Sequence, residues 1–399
     1  MSCQKLMSVK FYVGSYANIV QPFQYIDSQL AFDESCAKAM DCKYVALDTE
    51  FVRTSTYYPK LGLIQMFDGE QLSLIDALCI DNWDAFSALL LNRNVVKVLH
   101  SCSEDLEVFW HNVNVMPTPL FDSQLAAGIA GRGGSVGYAK LVSDLLQIEL
   151  DKGESRTDWL QRPLSDKQLE YAANDVTYLY QIYPMLLAEL GDRSEWVFSD
   201  TEQMMLKKQR PLPAEFHYLS VKNNWQLRGR SLAALKALAQ WRMDTAKQSD
   251  LALNFVVRET AILEIARHLP KDKRSLANLR CLSGKELRKH GATILDILTR
   301  IQQLEPSQFP NKVERLSELP FYKKVLHAAR QICLTVAEEQ SIKPEVFASK
   351  NQVNQVLKMH WFDTNESDIT GITPDLATGW RGELVYDKLI ALLKETSKR

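Results

Sequence analysis

The chain has no pattern of paired cysteines. Its seven cysteines (Cys3, Cys36, Cys42, Cys79, Cys102, Cys281 and Cys333) are odd in number and scattered, and none forms a Cys-x-x-Cys pair. Neither a disulfide framework nor a structural zinc site is suggested, and a reducing compartment is the natural reading. No stretch reaches the length of a membrane span, and Met1 to Val20 holds no continuous apolar block with a cleavage site, so neither a membrane anchor nor a signal peptide is expected. A cytoplasmic protein without an obligate protein partner, acting as a monomer, is the expectation. Strong charge of either sign is also missing. The net charge is −2, so no global field marks a polyanion binder. There is no phosphate-loop sequence either, which argues against a helicase.

What is present is an apolar fraction of 46% in 399 residues, enough for a large core and two or three domains. Charge is uneven along the chain. Residues 205–300 hold 19 Lys and Arg against 8 Asp and Glu, leaving the remainder acidic. An acidic, metal-binding part joined to a basic part that meets a polyanion would give this pattern, and so would an ordinary solvated helical surface.

The central stretch is Tyr44-Val-Ala-Leu-Asp-Thr-Glu-Phe51. A β-favouring run ends in Asp48 and Glu50, which project to one face of a strand because side chains repeat every two residues. Adjacent carboxylates repel, and sharing divalent cations holds both ionised. Taken alone, the pair reads more simply as a turn residue and a solvated surface acid, and the rest of the chain decides. Leu61–Phe67 and Gln71–Ile75 read as strands joined through Asp68-Gly69, which implies an antiparallel start to the sheet. Helix 83–91, strand 95–99 and helix 103–111 follow, so a mixed sheet flanked by helices is expected. Ser103 is the expected cap of its helix, and Glu104 and Asp105 fall in the first turn, where acids also favour the helix dipole. Ser165 caps a long helix over Asp166–Leu190, closed by Gly191. On it Tyr171 and Asp175 lie one turn apart on one face. Gln209-Arg-Pro-Leu-Pro213 is a linker, and nearly everything beyond is helical, in two blocks with weak mutual similarity.

Four carboxylates and a phenol from these sites form a ligand set for hard cations. Two ions about 3.5–4 Å apart suit phosphodiester hydrolysis. The longer strings carry a resemblance. Ala46-Leu-Asp-Thr-Glu-Phe-Val-Arg53, Tyr57-Tyr-Pro-Lys-Leu-Gly-Leu-Ile-Gln65, Ser103-Glu-Asp-Leu-Glu-Val-Phe109, Ser155-Arg-Thr-Asp-Trp-Leu160 and Tyr171-Ala-Ala-Asn-Asp-Val176 resemble the motifs of the DEDD superfamily in its tyrosine subclass, and specifically the ribonuclease D family. The likeness covers about residues 23–207, and the helical remainder resembles that family's two tandem HRDC domains.

The resemblance implies an α/β ribonuclease H-like exonuclease domain, with a mixed five-stranded sheet flanked by helices, followed by two small all-α HRDC domains. The implied division is an extension at 1–22, the exonuclease at 23–207, a first HRDC domain at 208–303 and a second, HRDC-like one at 304–399. It implies metal-dependent hydrolytic 3′→5′ trimming of RNA, with precursor tRNA 3′ ends and other structured stable RNA as partners. Asp48, Glu50, Asp105 and Asp175 would hold two divalent ions, Mg²⁺ or Mn²⁺, while Tyr171 would position the attacking water or help deprotonate it. Asp122, in Leu120-Phe-Asp-Ser-Gln-Leu125, would support the site or simply cap a helix. Phe51 and Arg53 are candidates for the terminal nucleotide, with core packing the alternative for Phe51. Lys207, Lys208 and Arg210, with the basic face around Lys271, Lys273 and Arg274, would bind RNA. Two departures from the family are Ser101-Cys102 after His100, where small Ala-Gly is commoner, and a start some twenty residues early, with Met7 as a second possible start. A DNA-directed 3′→5′ exonuclease and a catalytically silent RNA-binding protein are the competing readings.

Overall fold

The computed structural model describes residues 11–12, 22–150, 153–154, 156–363 and 365–397. Met7, Ser155 and nearly all of the expected extension lie outside the described residues.

The N-terminal half is built from β1 (Phe11–Tyr12), β2 (Phe23–Ile26), α1 (Gln29–Ala39), β3 (Tyr44–Val52), β4 (Lys60–Phe67), β5 (Leu72–Asp76) and α2 (Asp84–Leu91). It continues with β6 (Val96–Leu99), α3 (Ser103–Asn112), β7 (Leu120–Asp122), α4 (Ser123–Ile129), α5 (Tyr138–Leu146), α6 (Asp166–Leu190) and α7 (Ser194–Gln209). The strands form one mixed sheet in the order β1-β2-β5-β4-β3-β6-β7. β4 and β5 pair antiparallel across the tight Asp68-Gly69 turn and β3 pairs antiparallel with β4, whereas β2–β5, β3–β6 and β6–β7 are parallel. The sheet thus has seven described strands rather than five. β1, β2 and β7 are two to four residues long, too short to show a period of two.

Alternation along the strands separates two cores. Ala46, Leu63, Phe67 and Leu74 face α6, while Val45, Leu47, Ile64 and Met66 face α1, α2 and α3. The helix α6 begins with a reciprocal cap, Ser165 Oγ accepting from Gln168 N–H (3.2 Å) and Gln168 Oε1 from Ser165 N–H (3.0 Å). The cap of α3 differs from expectation: Cys102 is the N-cap residue, without a side-chain capping bond, and Ser103 is already helical.

The C-terminal half is helical: α8 (Gly229–Gln248), α9 (Leu253–Val256), α10 (Glu259–His268), α11 (Lys273–Asn278), α12 (Gly284–Gln302), α13 (Tyr322–Glu339), α14 (Pro344–Phe347), α15 (Lys350–Trp361), α16 (Glu366–Thr370) and α17 (Gly379–Ser397). The helices α8 to α12 enclose their own core around Leu235, Leu238 and Ile262. The helices α13 to α17 do not. Their apolar residues, among them Val336, Phe347 and Trp380, are continuous with the α6-side core of the sheet domain. Trp380 stacks on Trp196 of α7 with centroids 4.3 Å apart, and its indole N–H donates to Asp200 (2.9 Å), which also pairs with Arg381.

Candidate metal centre

Strand β3 delivers Asp48 and Glu50 to the α6 face. The ladder places Asp48 opposite Gln65 and Glu50 opposite Leu63, then slips by one residue so that Phe51 faces Leu61. Gly62 is the extra residue of this bulge. A Cβ on Gly62 would lie 2.4 Å from the Trp159 carbonyl oxygen, so only glycine permits that approach. Bulges bend a strand and re-aim neighbouring side chains, and this one sits beside Glu50.

Arg162 locks the loop that carries Trp159 against the sheet. It donates to both oxygens of the buried Asp76 (2.7 and 2.6 Å), to the Gly62 carbonyl (2.7 Å) and to the Trp159 carbonyl (2.8 Å). Tyr25 also donates to Asp76 (2.7 Å). Burial opposes the charge on Asp76, but the Arg162 and Tyr25 hydrogen bonds outweigh it and hold the carboxyl below its ordinary value. Neither Arg162 nor Asp76 is legible as a pair in the sequence, because they are 86 residues apart and neither belongs to an acidic motif.

From α6, Asp175 joins the strand acids. One oxygen each from Asp48, Glu50 and Asp175 lie within 4.8 Å of one another. Tyr171, one turn earlier, hydrogen-bonds to Asp175, and Trp159 packs on its ring at a centroid distance of 6.1 Å. Asp105 reaches the cluster from α3 but lies outside the close group, since its carboxylate accepts from Thr49 Oγ1 (2.5 Å). Thr49 belongs to the opposite face of β3, so Asp105 stands at the flank of the pair.

Burial dominates the electrostatics. Glu50 is pushed up to about 9, by burial first and then by Asp175 and Asp105. Burial lifts Asp175 to about 8 against the Tyr171 hydrogen bond, and Asp105 to about 6 against the Thr49 one. Asp48 is raised by burial and by all three other acids. Four carboxylates so placed cannot all stay charged alone. Oxygen-only donors with this mutual repulsion fit hard divalent cations, and the fold positions them for divalent-metal dependence.

Asp122 is both a cap and a support. Its carboxylate accepts from Gln124 and Leu125 N–H at the start of α4 (2.8 and 3.2 Å), and from Ser101 and Cys102 N–H (3.1 and 2.9 Å). Those two residues form the turn that launches α3 toward Asp105, with Ser101 in the left-handed region at φ 57°. Glu104 is exposed on the outer side of α3.

The residues expected to touch substrate are spread out. Phe51 packs against the α3-side core. Arg53 and Lys208 share Glu107, each at 2.5 Å, beside the helix that carries Asp105. Lys207 pairs with Asp375 of the last helical domain (2.5 Å), and Arg210 is exposed at the end of α7. The loop after Arg53 is held from two sides: Asp250 of the first helical domain accepts from Tyr57 and Tyr58 N–H (3.1 and 2.9 Å), and Tyr58 stacks on His111 of α3 at 4.0 Å.

A 3′-5′ exonuclease family model matches residues 23–191, an HRDC domain model residues 231–298, and a ribonuclease D C-terminal HRDC domain model residues 320–389. Ribonuclease D of Serratia proteamaculans is 43% identical over 375 residues, covering 93% of this chain and 99% of the relative. Ribonuclease D of Escherichia coli is 42% identical over 94% of this chain and 99% of its own length. This chain belongs to the ribonuclease D family. Its structure superposes on the crystal structure of E. coli RNase D, described as an exoribonuclease involved in structured RNA processing, with a TM-score of 0.89 at 41% identity over 94% of this chain and 99% of that one. The RRP6 catalytic core of Trypanosoma brucei shares the fold, with a TM-score of 0.57 at 22% identity over 75% of this chain and 84% of that one. The ribonuclease D membership makes the chain a hydrolytic 3′→5′ exoribonuclease, and it does not favour the DNA-directed or catalytically silent readings. No described helix is long and apolar enough to cross a membrane.

Proposed function

We propose that this exoribonuclease trims extra 3′ nucleotides from precursor tRNA and other structured RNA in the cytoplasm, acting as a monomer and releasing 5′-mononucleotides. Asp48, Glu50, Asp105 and Asp175 hold two divalent ions, Mg²⁺ or Mn²⁺. The observation that carries this reading is the convergence of Asp48, Glu50 and Asp175 oxygens within 4.8 Å, with Asp105 at the flank. When bound, such ions supply a nucleophile at neutral pH and offset charge on the departing 3′ oxygen.

The chain's own groups do the rest. Asp105 is held ready by Thr49, and Asp122 fixes the turn that aims its helix. Burial and the neighbouring Asp175, Glu50 and Asp48 raise the Tyr171 phenol above its ordinary value. Tyr171, whose hydroxyl meets Asp175, positions the attacking water or helps deprotonate it. Arg53 and Lys208 around one Glu107 leave a net positive charge at the flank for the terminal phosphate. Arg210 and the basic face bearing Lys271, Lys273 and Arg274 bind the RNA backbone without reading sequence.

The test is a trimming assay on 5′-labelled precursor tRNA and its DNA counterpart, with Mg²⁺, Mn²⁺ or EDTA, beside Asp48→Ala. Stepwise, metal-dependent shortening of RNA, lost in Asp48→Ala, is expected. Near-normal turnover by Asp48→Ala would refute the site, and preference for DNA would refute the substrate.

A further inference from the structure

Gln65 is fully buried on β4, and neither its amide nitrogen nor its carbonyl oxygen has a hydrogen-bond partner. A buried carboxamide with both ends unmet is worse for folding than a Met or Leu of similar size, so packing does not account for it. Its place in the ladder does. Gln65 pairs with Leu74 on one side and with Asp48 on the other. Residues directly opposite in an antiparallel pair point to the same face with Cβ atoms about 4.5–5.5 Å apart. Along β4 the same face carries Leu63 and Phe67, both apolar. Across the ladder, the polar neighbour of the Gln65 amide is therefore the Asp48 carboxylate.

We propose that Gln65 is a positioning residue for Asp48, its side-chain N–H donating to the Asp48 carboxylate once that group is committed to a divalent ion. The inference rests on the reading of the acidic cluster as a metal site. A carboxylate engaged by a cation through one oxygen keeps an acceptor on the other, and outer donors to such oxygens orient the ligand.

The experiment is Mn²⁺ titration of EDTA-stripped full-length protein, followed by electron paramagnetic resonance, with thermal melts of each metal-free protein. Wild type is compared with Gln65→Met and, as a second apolar replacement, Gln65→Leu. The expected result is Mn²⁺ affinity weakened about 10- to 100-fold in both variants, with metal-free melting temperatures equal to or above wild type. Unchanged affinity in the variants beside a wild type that binds Mn²⁺ would overturn the role of Gln65 and leave the metal site standing. A lower metal-free melting temperature in both variants would also overturn it, because Gln65 would then have a partner without metal. Failure of the wild type to bind Mn²⁺ would overturn the metal-site reading itself, and this inference with it.

Discussion

At the scale of single residues, Tyr171 and Arg162 separate chemistry from architecture. The Tyr171 hydroxyl meets the cluster through Asp175, whereas its ring is fixed by Trp159. Tyr171→Phe keeps the ring and removes one donor. Turnover should fall on the order of 100-fold with Mn²⁺ affinity unchanged, as read by single-turnover trimming and metal titration. Equal turnover would remove Tyr171 from the mechanism. Arg162→Met leaves Asp76 buried and unpaired, and stability at pH 7 should drop by about 3–5 kcal/mol in urea melts. The sign with pH is fixed by the depressed pKa of Asp76. Its folded value lies below the ordinary 3.8, so the paired charge stabilises above that value and loses its effect as pH falls through the folded pKa. In the variant, protonation relieves the unpaired charge. The gap between wild type and variant should therefore narrow toward about pH 3.5, and a gap independent of pH would contradict the pairing.

At the scale of elements, the site depends on a bulge, a turn and a loop. Gly62→Ala would drive a methyl to within 2.4 Å of the Trp159 carbonyl, on backbone that cannot swing aside. A loss of about 1–3 kcal/mol in denaturant melts is expected, with a larger proportional loss of turnover because the bulge also aims Glu50. Wild-type values on both counts would show that the loop yields freely. Strand β3, helix α6 and its Ser165 cap were legible in the sequence, because long apolar periodicity and a Ser-x-x-Gln cap are local signals. So was the grouping of Asp48 with Glu50 and of Tyr171 with Asp175, since each spacing fixes a shared face. The short strands β1, β2 and β7 were not, nor was the Cys102 cap of α3, because their hydrogen bonds come from distant partners. Gln65 lay within a recognised string, but its unmet amide is a property of the packed sheet.

At the scale of the whole molecule, the two helical domains are attached differently. The first has a core of its own and touches the exonuclease through Asp250 and the loop at Tyr57 and Tyr58. The second continues the exonuclease core through Trp380 and Phe347. Cutting the chain near residue 212 would therefore uncover apolar surface on the catalytic half, and a truncated enzyme would confound instability with weakened RNA binding. Trp380→Ala removes a stacked, buried indole and the Asp200 hydrogen bond, so it should cost about 3–5 kcal/mol and lower the melting of the exonuclease domain with it. Separate melting of an unaffected exonuclease would deny the shared core. RNA affinity calls for a surface test instead. Lys271, Lys273 and Arg274 are exposed on the independently cored domain, so reversing them to Glu leaves both cores untouched. Each RNA phosphate that a cation no longer neutralises lowers the slope of log affinity against log salt by about 0.7–0.9. The triple variant should bind structured RNA more weakly with a slope smaller by about 2–3, while kcat on a short single strand stays near wild type. An unchanged slope would move the RNA path off this face and toward Arg210 and the Arg53–Glu107–Lys208 flank of the metal centre.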